Sequence, residues 1–177
     1  MQYVDTALTD VPPGKMKKVE HPQPVQLLFE FQTNGATNPL ATNHLKEQVV
    51  DLVKKTGIFS GVESAPVSSG AVLSIVINNV PLTNNPAAHG FVTGLTFGIA
   101  GSAVTDGYIC TIDYIADAKT PKITKTVRHA IHTTLGNAKA PPNAVKSASP
   151  QEAMQTMLRQ IITNGVNEVA LDPAFKE

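Results

Sequence analysis

Histidines and a single cysteine are the side chains of this sequence best suited to metal or redox chemistry, and their spacing limits it. The chain has five histidines and one cysteine. His129 and His132 are three positions apart, so in an extended strand they point to opposite faces and cannot hold one ion together. Cys110 alone cannot form an internal disulfide or a multi-cysteine metal site. We therefore predict no metal ligand and no cofactor.

Motifs for nucleophilic catalysis and phosphate binding are also missing from the sequence. Ser68–Gly70 lacks the leading glycine of a nucleophile elbow, and no glycine-rich stretch continues into the Lys-Ser/Thr of a phosphate loop. Asp106, Asp113 and Asp117 are clustered, but solvated turns and strand edges account for such carboxylates. We predict no catalytic residue and a protein that is not an enzyme.

A basic, hydroxyl-bearing strip is the candidate binding site. Arg128 and His132 are four positions apart and share a strand face with Thr126. Such a strip could receive an anionic ligand or an acidic partner surface. An exposed sheet face without a ligand is the competing interpretation.

Composition restricts the class of partner. The 14 basic and 14 acidic residues of this 177-residue chain balance, which gives no global electrostatic reason to bind nucleic acid. Aromatic residues make up 5% and tryptophan is absent, so base stacking and sugar clefts are poorly supported. Charged residues are 16% of the chain, against about a quarter in ordinary domains. Neutral polar surfaces of this kind are frequent in exported proteins.

Two amphipathic helices and several strands are predicted to position these residues. Apolar and polar residues alternate from Val25, and a helix is predicted from the Asn38–Pro39 cap to Gly57. A second helix follows the Ser149–Pro150 cap. The order β-α-β-β-β-β-α, with a glycine-rich segment before the last hairpin, predicts an α+β fold. We expect a two-layer domain with a mixed or antiparallel sheet of four to five strands packed by two helices.

The first 24 residues are predicted to lie outside this domain. Pro12–Gly14 and Pro22–Pro24 interrupt helical and strand periodicity, and proline favours an extended spacer. We therefore expect a flexible tether over residues 1–24, with a frayed terminus as the alternative, and a single α+β domain over residues 25–177.

A glycine-rich segment is the candidate for oligomer or membrane contact. Gly90, Gly94 and Gly98 recur at every fourth position, the spacing that allows membrane helices to approach closely. The surrounding apolar run is shorter than the roughly 20 residues of a spanning helix. With a period of two, Phe91 and Phe97 share one face, so an extended segment with a structural role is favoured over a contact surface.

Three stretches resemble a group of proteobacterial envelope lipoproteins. They are His89–Gly98, Thr105–Tyr108 and Arg128–Asn137, and the similarity extends roughly from Val25 to Val169. Members of this group carry a signal peptide and a lipidated cysteine. The resemblance therefore implies an outer-membrane-anchored, periplasmic protein whose lipid anchor precedes Met1, and it transfers no catalytic residue.

The resulting prediction is a non-enzymatic envelope lipoprotein domain that binds or scaffolds another envelope protein, whose identity is unknown. The element order also resembles the pore-forming curli secretion lipoprotein, in which hairpins from many subunits form one barrel. A subunit of an oligomeric pore or secretion ring, a homo-oligomer using the glycine-rich hairpin, is therefore the first alternative. A periplasmic hydrolase using His129 or His132 is the second.

Overall fold

A mixed, open β-sheet with two helices on one face makes up residues 1–82 and 103–176, the part of the chain that the computed structural model describes. The elements are β1 (Gln2–Asp5), β2 (Pro24–Thr33), β3 (Ala36–Thr37), α1 (Pro39–Lys55), β4 (Gly61–Glu63), β5 (Val72–Pro81), β6 (Ala103–Ile115), β7 (Ile123–Thr134), β8 (Ala144–Lys146) and α2 (Pro150–Leu171). The fold is of the α+β class, as predicted.

Both predicted helices form with the expected caps. The Asn38 side chain accepts a hydrogen bond from the Ala41 amide at 3.0 Å, and Ser149 accepts one from the Glu152 amide at 3.1 Å. Each cap satisfies an amide that the helix itself leaves without an acceptor. Gly57 takes a φ of +70° just after α1, a conformation that glycine adopts without steric cost.

The sheet has the strand order β3-β2-β5-β6-β7-β1-β8, and β4 pairs with β2. β5 runs parallel to β2, while β6 is antiparallel to both β5 and β7. The sheet is therefore mixed, one of the two arrangements predicted, and the predicted β6–β7 hairpin is confirmed. The strand that the pore hypothesis would use, β6, is thus hydrogen-bonded along both of its edges.

The predicted count of four to five strands is wrong, because the described part of the sheet has eight. The additional strands β1, β3 and β8 contain two to four residues each, too few for an alternating pattern. β3 follows a two-residue turn in which Asn34 and Gly35 have φ values of +51° and +79°. An Asn-Gly pair is a strong hairpin signal, and it could have revealed this strand.

The tether predicted over residues 1–24 is not what the structure contains. β1 pairs with β7 on one side and with β8 on the other, and Tyr3 and Val4 are buried. Sheet hydrogen bonds and apolar burial compensate the entropy of ordering this segment. The first residues therefore belong to the same fold as residues 25–82 and 103–176.

Strand β5 lies centrally in the sheet, and its two faces are buried to different degrees. Leu73, Ile75 and Ile77 are fully buried beneath the helices, whereas the side chains that alternate with them are half-buried. In the described residues the two helices lie on one face of the sheet, so the continuous apolar run indicates that β5 is central in the sheet. The glycine-rich candidates Gly90, Phe91, Gly94, Phe97 and Gly98 lie outside the described residues.

Candidate functional site

The predicted binding strip is divided by the structure into an exposed part and a buried part. Thr126 and Arg128 are exposed on the sheet face opposite the helices. His132 lies further along the same face of β7 but is 0% exposed. The three residues therefore share a face, as their spacing predicts, yet they do not form one accessible surface.

His132 instead forms a buried chain of hydrogen bonds with Asp5 and Thr105. Its Nε2 lies 2.9 Å from Oδ2 of Asp5, and its Nδ1 lies 2.9 Å from Oγ1 of Thr105. A carboxylate can only accept, so Nε2 carries a proton; in the neutral ring Nδ1 then accepts from the Thr105 hydroxyl. The other oxygen of Asp5 accepts from the Ala7 amide at 2.7 Å.

This Asp5–His132–Thr105 chain has the residue types of a nucleophile, a base and an orienting carboxylate. Catalysis would also require a substrate to reach the hydroxyl. Asp5, His132 and Thr105 are 1%, 0% and 6% exposed. The arrangement instead joins three strands, β1, β7 and β6, through polar groups that satisfy one another.

His129 lies on the opposite face of β7, as its spacing from His132 predicts. Its Nε2 donates to Oε1 of Gln160 on α2 at 2.6 Å, while Nδ1 is buried without a hydrogen-bond partner among the described residues. Burial lowers the pKa of His129, partly offset by the Gln160 hydrogen bond and the charge of Asp5. The ring is therefore kept neutral beneath α2.

The segment between β1 and β2 crosses α2 and is held there by polar side chains of that helix. Asn167 accepts from the Lys17 amide at 2.8 Å, and Asn164 donates to the Thr9 carbonyl at 2.8 Å. Asp10 pairs with the Arg159 guanidinium through contacts of 2.7 and 3.3 Å. Hydrogen bonds from Arg159 lower the pKa of the Asp10 carboxyl. These contacts fix the path of residues 6–20 over the helices.

A cleft of about 600 Å³ lies between this segment, the end of α1 and the middle of α2; we call it the helix cleft. Its apolar lining comes from Val11, Pro13, Met16, Val19 and Leu52. Its charged lining comes from Asp10, Lys17, Lys18, Lys55 and Arg159. Pockets of about 300–1,000 Å³ that combine apolar walls with a few polar groups are typical ligand sites.

The helix cleft is locally cationic although the whole chain is neutral. Arg159 is paired with Asp10, so the positive charge that remains for a ligand is that of the exposed lysines Lys18 and Lys55. Within residues 1–82 and 103–176, neither Lys18 nor Lys55 has a salt-bridge partner. The lysines of residues 15–18 are visible in the sequence as a short charge run, but their alignment with Lys55 depends on how the segment crosses the helices.

Three further observations on the described residues concern the cysteine, groups of possible metal ligands and the length of the helices. Cys110 is a free, fully buried thiol, and burial raises its pKa to about 12, so it is not an activated nucleophile. Residues 1–82 and 103–176 bring together no group of three or more histidine, cysteine or acidic side chains that could hold a metal ion. In the same ranges, no helix has the length and hydropathy of a membrane span.

Comparisons with known proteins give a fold likeness and no family. No protein-family model and no curated protein matches the sequence. A solved neuraminyllactose-binding hemagglutinin homologue from Helicobacter pylori is similar in fold, with a TM-score of 0.51 and 11% identity over 92% of this chain and 90% of that one.

Two further solved structures are more distant. Rare lipoprotein B from Shewanella oneidensis has a TM-score of 0.39 and 11% identity over 82% of this chain and 93% of that one. A PelC dodecamer from Paraburkholderia phytofirmans has a TM-score of 0.39 and 14% identity over 96% of this chain and 97% of that one. At these identities, the comparisons identify an architecture shared with the Helicobacter protein. They do not identify a function, because one fold serves many functions.

Proposed function

We propose that this protein is a non-enzymatic, envelope-located lipoprotein domain that binds another envelope component in the helix cleft. The observation that carries the proposal is the composition of that cleft, which joins apolar walls to two lysines, Lys18 and Lys55, that have no salt-bridge partner in the described residues. An unpaired ammonium group beside apolar surface gains most from a ligand that supplies both an anion and apolar area.

Burial of the Asp5–His132–Thr105 chain supports binding over hydrolysis. A hydrolase would need the Thr105 hydroxyl and the His132 ring beside a space that a substrate can enter. Both side chains are buried, and His132 has a polar partner at each ring nitrogen. The hydrogen bonds of the Asp5–His132–Thr105 side chains link the strands β1, β7 and β6 to one another.

The envelope location is supported by the lipoprotein-like stretches, of which Thr105–Tyr108 and Arg128–Asn137 lie in the described residues. The Helicobacter protein of similar fold is described by a binding activity, which agrees with a binding role for this architecture. Neither observation identifies the ligand, because one fold serves many functions.

Amide NMR with fractions of a bacterial envelope extract tests the binding proposal. Isotope-labelled protein is titrated with separate lipid, glycan and peptide fractions. We expect shifts at cleft residues such as Val19, Gly57 and Thr163 from at least one fraction, and the same fraction should lose its effect on T163F, which fills the cleft. Shifts confined to the exposed face around Thr126, or no shifts from any fraction, would contradict the proposal.

Fractionation of cells that express the native gene tests the location separately. We expect the protein in the membrane fraction, released by detergent, with a lipid-labelled N-terminal cysteine. Recovery in the cytosolic fraction without lipid label would overturn the envelope part of the proposal while leaving the cleft experiment valid.

A further inference from the structure

We propose that the ligand of the helix cleft is a single-chain anionic amphiphile, an alkyl or acyl chain that ends in a carboxylate or phosphate. This inference rests on the proposed function and specifies its ligand class. Three features of the cleft support it: the charge of its lining, the capped end of α1, and the kind of apolar side chain that it presents.

The charge of the lining favours an anionic group. The described residues that line the cleft include four cationic side chains and one carboxylate, and the carboxylate of Asp10 is already bound by Arg159. Lys18 and Lys55 are exposed and have no salt-bridge partner in the described residues. A carboxylate or phosphate would form charge-assisted hydrogen bonds with these ammonium groups.

The negative end of the α1 dipole does not cancel this positive charge. α1 ends at Lys55, and its last carbonyls would repel an anion if they were open. However, the Val53 carbonyl accepts from the Thr56 hydroxyl at 2.6 Å and from the Thr56 amide, and the Lys54 carbonyl accepts from the Gly57 amide at 3.2 Å. These carbonyls already have donors within the chain.

The apolar lining suits a flexible chain more than a ring. Val11, Val19 and Leu52 are aliphatic, and Met16 is an unbranched thioether that adapts to irregular shapes. Among the described residues that line the cleft, none is aromatic, so these residues offer no ring on which a sugar or base could stack. Lysine stems extend the apolar surface while their ammonium groups reach the ligand head.

Titration with a matched series of amphiphiles, kept below their micelle concentrations, tests the ligand class. The probes are dodecyl phosphate, dodecanoate, dodecyltrimethylammonium, dodecyl maltoside and inorganic phosphate, with octyl and decyl phosphate for chain length. We expect the two anionic amphiphiles to bind in the cleft, with about a fourfold gain in affinity for each methylene that enters it. Comparison of phosphate with carboxylate then identifies the preferred head group.

Charge variants separate the cleft from general surface attraction. K18Q and K55Q should each weaken binding of dodecyl phosphate about fivefold, the factor expected for one charge pair in contact in water. K46Q removes a lysine from the exposed side of the same helix and should leave the affinity unchanged. An equal effect of K46Q, or equally tight binding of dodecyltrimethylammonium, would overturn the inference.

The outcomes also separate this inference from the proposed function. If dodecyl maltoside, or a glycan or peptide fraction, shifts the cleft amides while both anionic amphiphiles do not, the ligand class is wrong and a binding role for the cleft stands. If neither the amphiphiles nor any envelope fraction shifts them, both proposals fail. If inorganic phosphate binds as tightly as dodecyl phosphate, the proposal of an amphiphilic ligand is rejected, because the alkyl chain of the ligand would then contribute nothing to the affinity.

Discussion

Removal of the Asp5 carboxylate should destabilise the protein severely, although Asp5 lies near the beginning of the chain. The Asp5 and His132 side chains are both buried, and Oδ2 of Asp5 lies 2.9 Å from Nε2 of His132. D5A would leave the His132 Nε2 proton without its acceptor in a site that water does not reach. It would also remove the acceptor of the Ala7 amide.

The expected loss is large in relation to the total stability. D5A leaves the buried His132 donor and the partly buried Ala7 amide without an acceptor, at about 1–3 kcal/mol for each, and small domains have only about 5–15 kcal/mol of unfolding free energy. With a denaturant dependence of about 2 kcal/mol per molar urea, the unfolding midpoint of D5A should fall by about 2 M. Urea titration followed by far-ultraviolet circular dichroism measures this shift.

Two controls decide whether the His132 contact is the cause. D51A removes an exposed carboxylate from α1 and should change the free energy of unfolding by no more than about 0.5 kcal/mol. A double-mutant cycle of D5A with H132A should give a coupling energy above about 1 kcal/mol. A cost of D5A below about 1 kcal/mol, or a cycle without coupling, would refute the reasoning.

Three further predictions concern groups around α2. The pKa of His129 is lowered in the folded protein, so the unfolded state binds a proton at this residue first as the pH falls below about 6.5. The free energy of unfolding should therefore decrease as the pH falls through that range. H129Q should make the free energy of unfolding less dependent on pH, as measured by urea titrations at several pH values. G165A would place a Cβ atom 2.5 Å from Cδ1 of Ile112. It should lower the urea midpoint, because overpacking costs about 1–3 kcal/mol and the gain in helix propensity is about 1 kcal/mol. Adding I112V, which removes that Cδ1 atom, should recover most of the lost stability. N167A leaves the Lys17 amide without its acceptor and should cost about 1–3 kcal/mol, with faster hydrogen exchange at that amide; unchanged exchange would show that the segment is held by other contacts.

The candidate sites were predictable only in part. A period of two places Thr126, Arg128 and His132 on one face and His129 on the other, and the structure agrees. The burial of His132 was not predictable, because its acceptor Asp5 is separated from it by 127 positions. The partner of a buried polar group depends on strand order, and no local pattern in β7 specifies that β1 lies beside it.

The sequence by itself determined the two helices and the long strands. Caps such as Asn38 and Ser149, and alternation over ten or more residues, act through contacts between near neighbours and are visible in any short window. The tertiary structure alone decided that β1, β3 and β8 are strands, that residues 6–20 are fixed across α2, and that lysines from separate segments line one cleft. These features depend on hydrogen bonds and burial supplied by distant parts of the chain. Those contacts stabilise them only after the sheet and the helices have assembled.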